Sequence, residues 1–461
     1  MIFPIIIGII TKFIKIYFKQ PLKDQEKEIS EGIKYNYYDV LRFIICFFII
    51  IWADIFSKIW KQKEKIFSYF WGMENLRDKE PLNENFKPDK EINFLFDQKL
   101  RTFTDKNYWI RNIISYLLTL TLILIRVFIV HIVLGYIIGQ SDTIIILGLS
   151  SISGTLSLIC SLIFEYLAKK LTEFENHQKL RNQRNSLAFK LFLFEFFNNY
   201  YCLFYYAYIK PYKDLKKYYT DKLYGTDVKF EGEYSLMVKD QLNILLIINL
   251  LSSIANFFVY YGQYLFSKFF YKPSNINYIT KQLFCKIYDD DLIIDYNRKI
   301  ILLGFVCMFP LVATMTPIYV VIILILEFII DYIKITKFSR VGNIRGASGI
   351  DIYNSIVKFI YYCGIINIGG LIIYTKQCEQ KNQYLSNITL ESIFTNKYVV
   401  FALCGFALFE NVILICFSTI NYNLKPMWFK HLEQYKAIYL RKYYNREDKN
   451  LPHLKIKRNI N

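Results

Sequence analysis

The chain is a succession of long apolar runs with little between them, and that leaves few folds open. The runs lie at about 2–18, 39–60, 109–138, 143–168, 187–209, 238–270, 292–311, 313–336, 351–375 and 398–421. Most reach the roughly 20 residues a helix needs to cross a bilayer. In lipid every backbone polar group must be paired within the spanning structure, so the runs are read as helices. Their wealth of Ile, Tyr and Phe would favour strands in water, but unbroken length decides here. The expected fold is all-α: a polytopic membrane protein of about ten transmembrane helices. A composition 54% apolar and 18% aromatic over 461 residues agrees with that. Residues 1–421 form the expected membrane domain, with 61–108 as a polar cytoplasmic loop containing some helix and 422–461 as a basic cytoplasmic tail.

The net charge is +18. In a soluble chain it would point to nucleic acid; across many spans the positive-inside rule accounts for it, and no nucleic-acid partner is expected. Lys and Arg gather after Ile420, in the 169–184 connection (Lys169, Lys170, Lys179, Arg181, Arg184) and at Lys337, Arg340 and Arg345. An even number of spans puts both termini on the side of these loops, taken as cytoplasmic. The tail is expected to be solvated or to touch anionic lipid. Asn387-Ile388-Thr389 is a glycosylation sequon in the 376–397 loop, which this topology puts outside. Either the plasma membrane or an endomembrane fits.

Enzymatic chemistry has no footing in the sequence. There is no glycine-rich phosphate loop, no HExxH and no GxSxG. The four histidines are far apart, and the scattered cysteines form no CxxC. They read as small apolar residues.

Polar residues inside the runs carry the functional signal. Glu327 and Asp331 lie four residues apart in the run from Ala313 to Lys334, which stacks them on one helical face. A carboxylate at membrane depth costs roughly 3 kcal/mol or more, so it normally faces a partner, a cation or water. One reading is a cation site or ion path. The other places both acids near the cytoplasmic end, reaching water beside Lys334. Asp295 and Arg298 open the seventh run at pairing distance on a helix. Ser150, Gly154, Ser157, Ser161 and Glu165 form a stripe along the fourth run, read either as a hydrophilic groove or as small-residue helix packing. Asn249, Ser253, Asn256, Tyr260 and Gln263 form another along the sixth, where buried amides need partners.

The segment from Asn185 to Lys210, NSLAFKLFLFEFFNNYYCLFYYAYIK, is similar without gaps to the fifth span of the anoctamin family of calcium-activated anion channels and lipid scramblases. Leu171–His177 resembles the family's lead-in to that span, and Ile51–Lys61 the end of its second. Gly304-Phe305-Val306 with Pro317, Glu327 and Asp331 keeps the spacing of the seventh and eighth spans. The resemblance covers nearly the whole chain. It implies ten spans, cytoplasmic termini and a homodimer with one groove per subunit. Met1–Gly8 resembles the middle of the family's first span, so the family's amino-terminal cytoplasmic domain is expected to be missing, in a truncated or reduced member.

The resemblance also implies a residual calcium site. Asn256 matches the amide ligand of the sixth span, Asp295 the first acid of the seventh, and Glu327 and Asp331 the pair in the eighth. Tyr260 and Arg298 stand where the family has acids. Counting Arg298, the charge of the set is about −2, and calcium affinity rises with ligand charge. At most one weakly held ion is expected, with the Arg298 guanidinium pairing Glu327 or Asp331 in place of another. A glycine expected six residues before the amide is Leu250. The expected function is movement of chloride or other anions, phospholipids or both, along a groove lined by Ser150, Ser157, Ser161, Asn249 and Ser253. The alternative is a non-transporting membrane scaffold or tether on the same fold.

Overall fold

The structure is a computed structural model. It describes residues 37–71, 73, 83, 85–87, 91–93, 99–101, 107–138, 143–210, 234–271, 285–287, 291–313, 315–340, 350 and 352–371, with single residues at 412 and 434. Among them are eight long helices: α1 (Tyr37–Phe70), α2 (Tyr108–Ile138), α3 (Thr143–Phe174), α4 (Leu180–Phe204), α5 (Tyr234–Tyr271), α6 (Asp291–Met308), α7 (Thr316–Ile333) and α8 (Tyr353–Gly370). Each coincides with one of the predicted runs. The runs at 2–18 and 398–421, the 422–461 tail, the sequon and the side chain of Ser150 lie outside the described residues. Three stretches, Tyr108–Tyr136, Ile152–Phe174 and Met237–Phe269, are by length and hydropathy sufficient to cross a membrane. The described residues therefore give a mostly helical fold and do not by themselves reach a count of ten spans.

The polar 61–108 stretch is helical in its first part, because α1 continues to Phe70. Farther on it holds a short antiparallel pair, β1 (Glu91–Asn93) and β2 (Lys99–Arg101). The extension of α1 has a structural use. Glu64 accepts the backbone N–H of Ile350 (2.7 Å) and the side-chain amide of Asn354 (2.9 Å), so a carboxylate sits where α8 begins. Helix starts leave N–H groups without intrahelical partners and favour negative charge.

The core lies where α4, α6 and α8 meet, with α1 against α8 and α2 and α3 against α4. Tyr200, fully buried, donates its hydroxyl to the Ile301 carbonyl at 2.6 Å. Gly304 makes that reach possible: a Cβ there would stand 2.0 Å from the Tyr200 hydroxyl oxygen. Gly364 similarly lets α8 approach α6, since a Cβ would lie 3.0 Å from the Cys307 carbonyl oxygen. Asn367 of α8 then donates to the Met308 carbonyl at 2.7 Å and accepts from the Tyr208 hydroxyl at 2.7 Å. The last carbonyl of α6 is thus satisfied by a neighbouring helix rather than by water.

α6 and α7 run back to back around a tight connection. Pro317 sits in the first turn of α7, where a missing N–H breaks no helical bond. At the far end α7 passes into a π-helical turn, Lys334–Phe338. β4 (Ser339–Arg340) follows and pairs in parallel with β3 (Lys286–Ile287), just ahead of α6. That small ladder ties the start of α6 to the end of α7 and sets Asp295 beside Lys334.

Candidate functional site

The first turns of α6, the last turns of α7 and the middle of α5 enclose one pocket. Ser253, Asn256, Phe257, Asp295, Arg298, Lys299, Glu327, Ile330, Asp331 and Lys334 line it. The structure thus brings Asn256, Asp295, Glu327 and Asp331 to one place from three helices. Asp295, Glu327 and Lys334 are buried, at 4%, 3% and 1% exposure. The cavity between these groups is about 10 Å³, roughly the room one water needs.

Cations fill much of the rest. Lys334 Nζ lies 2.9 Å from Asp295 Oδ2 and 3.3 Å from Asp331 Oδ1. Lys299 Nζ lies 2.8 Å from Asp331 Oδ2. Arg298 is more distant: its Nη1 is 3.8 Å from Asp295 Oδ1 and 3.5 Å from the Ser253 hydroxyl. Among the described residues the short contacts of Arg298 are thus to Asp295 and Ser253 and not, as expected, to Glu327 or Asp331, although its charge still acts on Glu327 across the pocket. Lysines hold Asp331, because Lys334 follows it by one turn on its own helix and Lys299 lies across from it on α6. Glu327 accepts a hydrogen bond from the Ser253 hydroxyl through Oε1, and its buried Oε2 has no hydrogen-bond partner among the described residues. Tyr260, where an acid was expected, is buried with its ring 5.3 Å from the Lys334 ammonium. That is within cation–π range.

A second polar cluster links α2, α3, α4 and α5. Arg126, buried in α2, donates through Nε to Asn198 Oδ1 at 2.9 Å. Ser157 donates to the same oxygen at 2.8 Å, and Asn198 donates to Ser161 at 3.0 Å. Next to it, Asn199 bonds Glu195 (2.9 Å), and Asn249 of α5 bonds Asn199 (3.2 Å). One turn on, Ser253 reaches the acidic pocket. The α3 stripe serves two ends: Gly154 packs against Ile248 of α5, while Ser157 and Ser161 bond α4.

A third cluster lies at the turn between α3 and α4. Glu175, fully buried, accepts from Ser186 (2.6 Å), His177 (2.6 Å) and Lys190. Burial pushes its carboxyl up, but these hydrogen bonds and the charge of Lys190 outweigh that and hold it down at about 2. His177 also meets Tyr108, and His131 bonds Tyr201 at 2.8 Å.

Of the functional residues, reading the sequence missed Lys299 as a member of the site and named Lys334 only as a group near water. Their helical offsets, four residues from Asp295 and three from Asp331, were the available signal.

Apolar helices long enough to cross a bilayer, closing around a buried cluster of acids and bases, are those of an integral membrane protein. The family model described as Anoctamin: Calcium-activated chloride channel matches residues 1–426. The chain belongs to the anoctamin family.

That description makes calcium the ion to test against the pocket. Calcium takes six to eight oxygens at about 2.3–2.6 Å and favours negative donor sets. Here three carboxylates meet three side-chain cations, and the cavity has room for little more than one small particle. Among the described residues no group of three or more His, Cys, Asp or Glu side chains is arranged to hold a metal. A divalent ion 4 Å from one ammonium would meet a repulsion of roughly 8 kcal/mol at an effective dielectric of about 20. As folded, the residues do not fit a resident pair of calcium ions.

Proposed function

We propose that this anoctamin moves chloride or other anions, phospholipids or both along a seam between α2, α3, α4, α5 and α6. The observation that carries the reading is a row of polar side chains from Arg126 to the acidic pocket. Arg126 bonds Asn198, its neighbour Asn199 accepts from Asn249, and Ser253 bonds both the Asn249 carbonyl and Glu327. Unpaired polar groups in lipid are costly, so a connected row of them suits a path for polar cargo. Ser150, Ser157, Ser161, Asn249 and Ser253 would line the groove. Calcium would bind at most as one weakly held ion at Asn256, Asp295, Glu327 and Asp331, in competition with Lys334 and Lys299. The working unit would be a homodimer with one groove per subunit, with both termini cytoplasmic, in the plasma membrane or an endomembrane.

Reconstitution into liposomes tests this. Chloride flux and translocation of dye-labelled lipid, each measured with and without calcium, separate channel from scramblase. Activity that needs micromolar calcium would contradict the weak site. The neutralised pocket favours one other reading, a non-transporting membrane scaffold on the same fold. Absence of both activities in folded protein would select it.

A further inference from the structure

We infer that Lys334 and Lys299 are built-in counter-ions that take the place of a divalent cation, so that α6 and α7 are held together whether or not metal is present, and that a divalent-cation site lies latent beneath them. This deepens the reading of the candidate site and does not depend on what the protein transports.

Three observations carry the inference. Lys334 does what a bridging metal does: one positive centre joins Asp295 of α6 to Asp331 of α7. It is a committed part of the core, 1% exposed, with the Tyr260 ring beside its ammonium and its own carbonyl accepting from Ser339 at 2.9 Å. And the pocket keeps an oxygen to which no lysine hydrogen-bonds: Glu327 lines the cavity, and its buried Oε2 has no hydrogen-bond partner among the described residues. A bound ion stabilises only in proportion to its concentration over its dissociation constant. A tethered ammonium is always present, so the contact it makes is independent of the ion. Lys299, on α6, supplies the second charge at Asp331, which leaves the three carboxylates balanced once Arg298 is counted.

Removing the two lysine charges exposes an acidic set of Asp295, Glu327 and Asp331, with the Asn256 amide and the Ser253 hydroxyl on the same pocket. Purified full-length protein in detergent would be melted against a calcium chloride series, with terbium luminescence as a second readout of ion binding. The wild type should show no saturable shift below millimolar calcium. Lys299→Gln/Lys334→Gln should show a saturable rise in melting temperature, with calcium affinity at least tenfold tighter, and Glu327→Gln in that background should remove the gain. If the double variant does not fold, Lys299→Gln alone, whose side chain is 41% exposed, should still tighten binding several-fold. A micromolar response in the wild type would overturn the inference, as would a folded lysine variant that binds no better than wild type. Failure of flux or scrambling in liposomes would bear only on the transport reading.

Discussion

Lys334, at the end of α7, is bonded at 2.9 Å to Asp295, in the opening turns of α6, and neither side chain is more than 4% exposed. Breaking a buried pair by removing one partner leaves an uncompensated charge and costs about 3 kcal/mol or more, whereas removing both partners can be nearly neutral. Lys334→Met should therefore lower the melting temperature in calcium-free buffer markedly, and Asp295→Asn/Lys334→Met should recover most of the loss. Equal losses in the two variants would show that the contact is packing and not charge.

Gly304 and Tyr200 form a matched pair in the core. Gly304→Ala drives a methyl into the Tyr200 hydroxyl, and overpacking of this kind costs about 1–3 kcal/mol. Tyr200→Phe loses the bond to the Ile301 carbonyl and should cost about 1 kcal/mol. Because Phe removes the nearer clashing atom, the hydroxyl oxygen, and leaves only Cζ at 2.9 Å, the double variant should be more stable than the sum of the two predicts. Thermal melts of the four proteins test this; simple additivity would count against the close approach.

The Glu175 cluster sets a pH limit. Its carboxyl is held near 2 in the folded protein against an ordinary value of 4.5. A depressed carboxylate stabilises above its unfolded value and loses that contribution as pH falls through its folded one. Stability should thus decline between about pH 4.5 and pH 2, by at most about 3 kcal/mol from this group. In Glu175→Gln the decline should be shallower, as read from melting temperature against pH, and an unchanged slope would remove Glu175 from the account.

Arg126 offers a direct probe of the seam. Its guanidinium is the cationic group of the cluster that joins α2, α3 and α4, through Asn198. Arg126→Gln removes a positive charge that would concentrate anions, so it should reduce chloride flux about tenfold or more where anions follow this path. Lipid translocation, which needs an open polar groove and not a cation, should fall less. Loss of both in equal measure would point to a structural role.

Much of this was legible before any coordinates. Of the ten runs read as helices, eight coincide with helices among the described residues, and the observed ends differ most where a polar stretch continues a helix, as in α1 from Lys61 to Phe70. Apolar periodicity stops reporting once a helix leaves the bilayer, which is why some helix was expected in 61–108 without its bounds, and the β1–β2 pair went unread. The residues Asn256, Asp295, Glu327 and Asp331 were also legible, because charge and amide are costly in an apolar run and therefore conspicuous. The stripe of α3 was left between groove and packing, and the structure divides it: Gly154 packs, while Ser157 and Ser161 hydrogen-bond.

The amino-acid order alone determined that this is a membrane protein of helices, and which acids its interior must accommodate, because hydrophobic length and buried charge are local properties that each segment states for itself. Only the tertiary structure decided which cation answers which acid. Lys334 and Asp295 are 39 residues apart, and their meeting depends on how two helices are rotated and stapled by the β3–β4 ladder. That rotation is set by packing at Gly304 and Gly364 and by the pairing of distant strands, none of which a single segment contains.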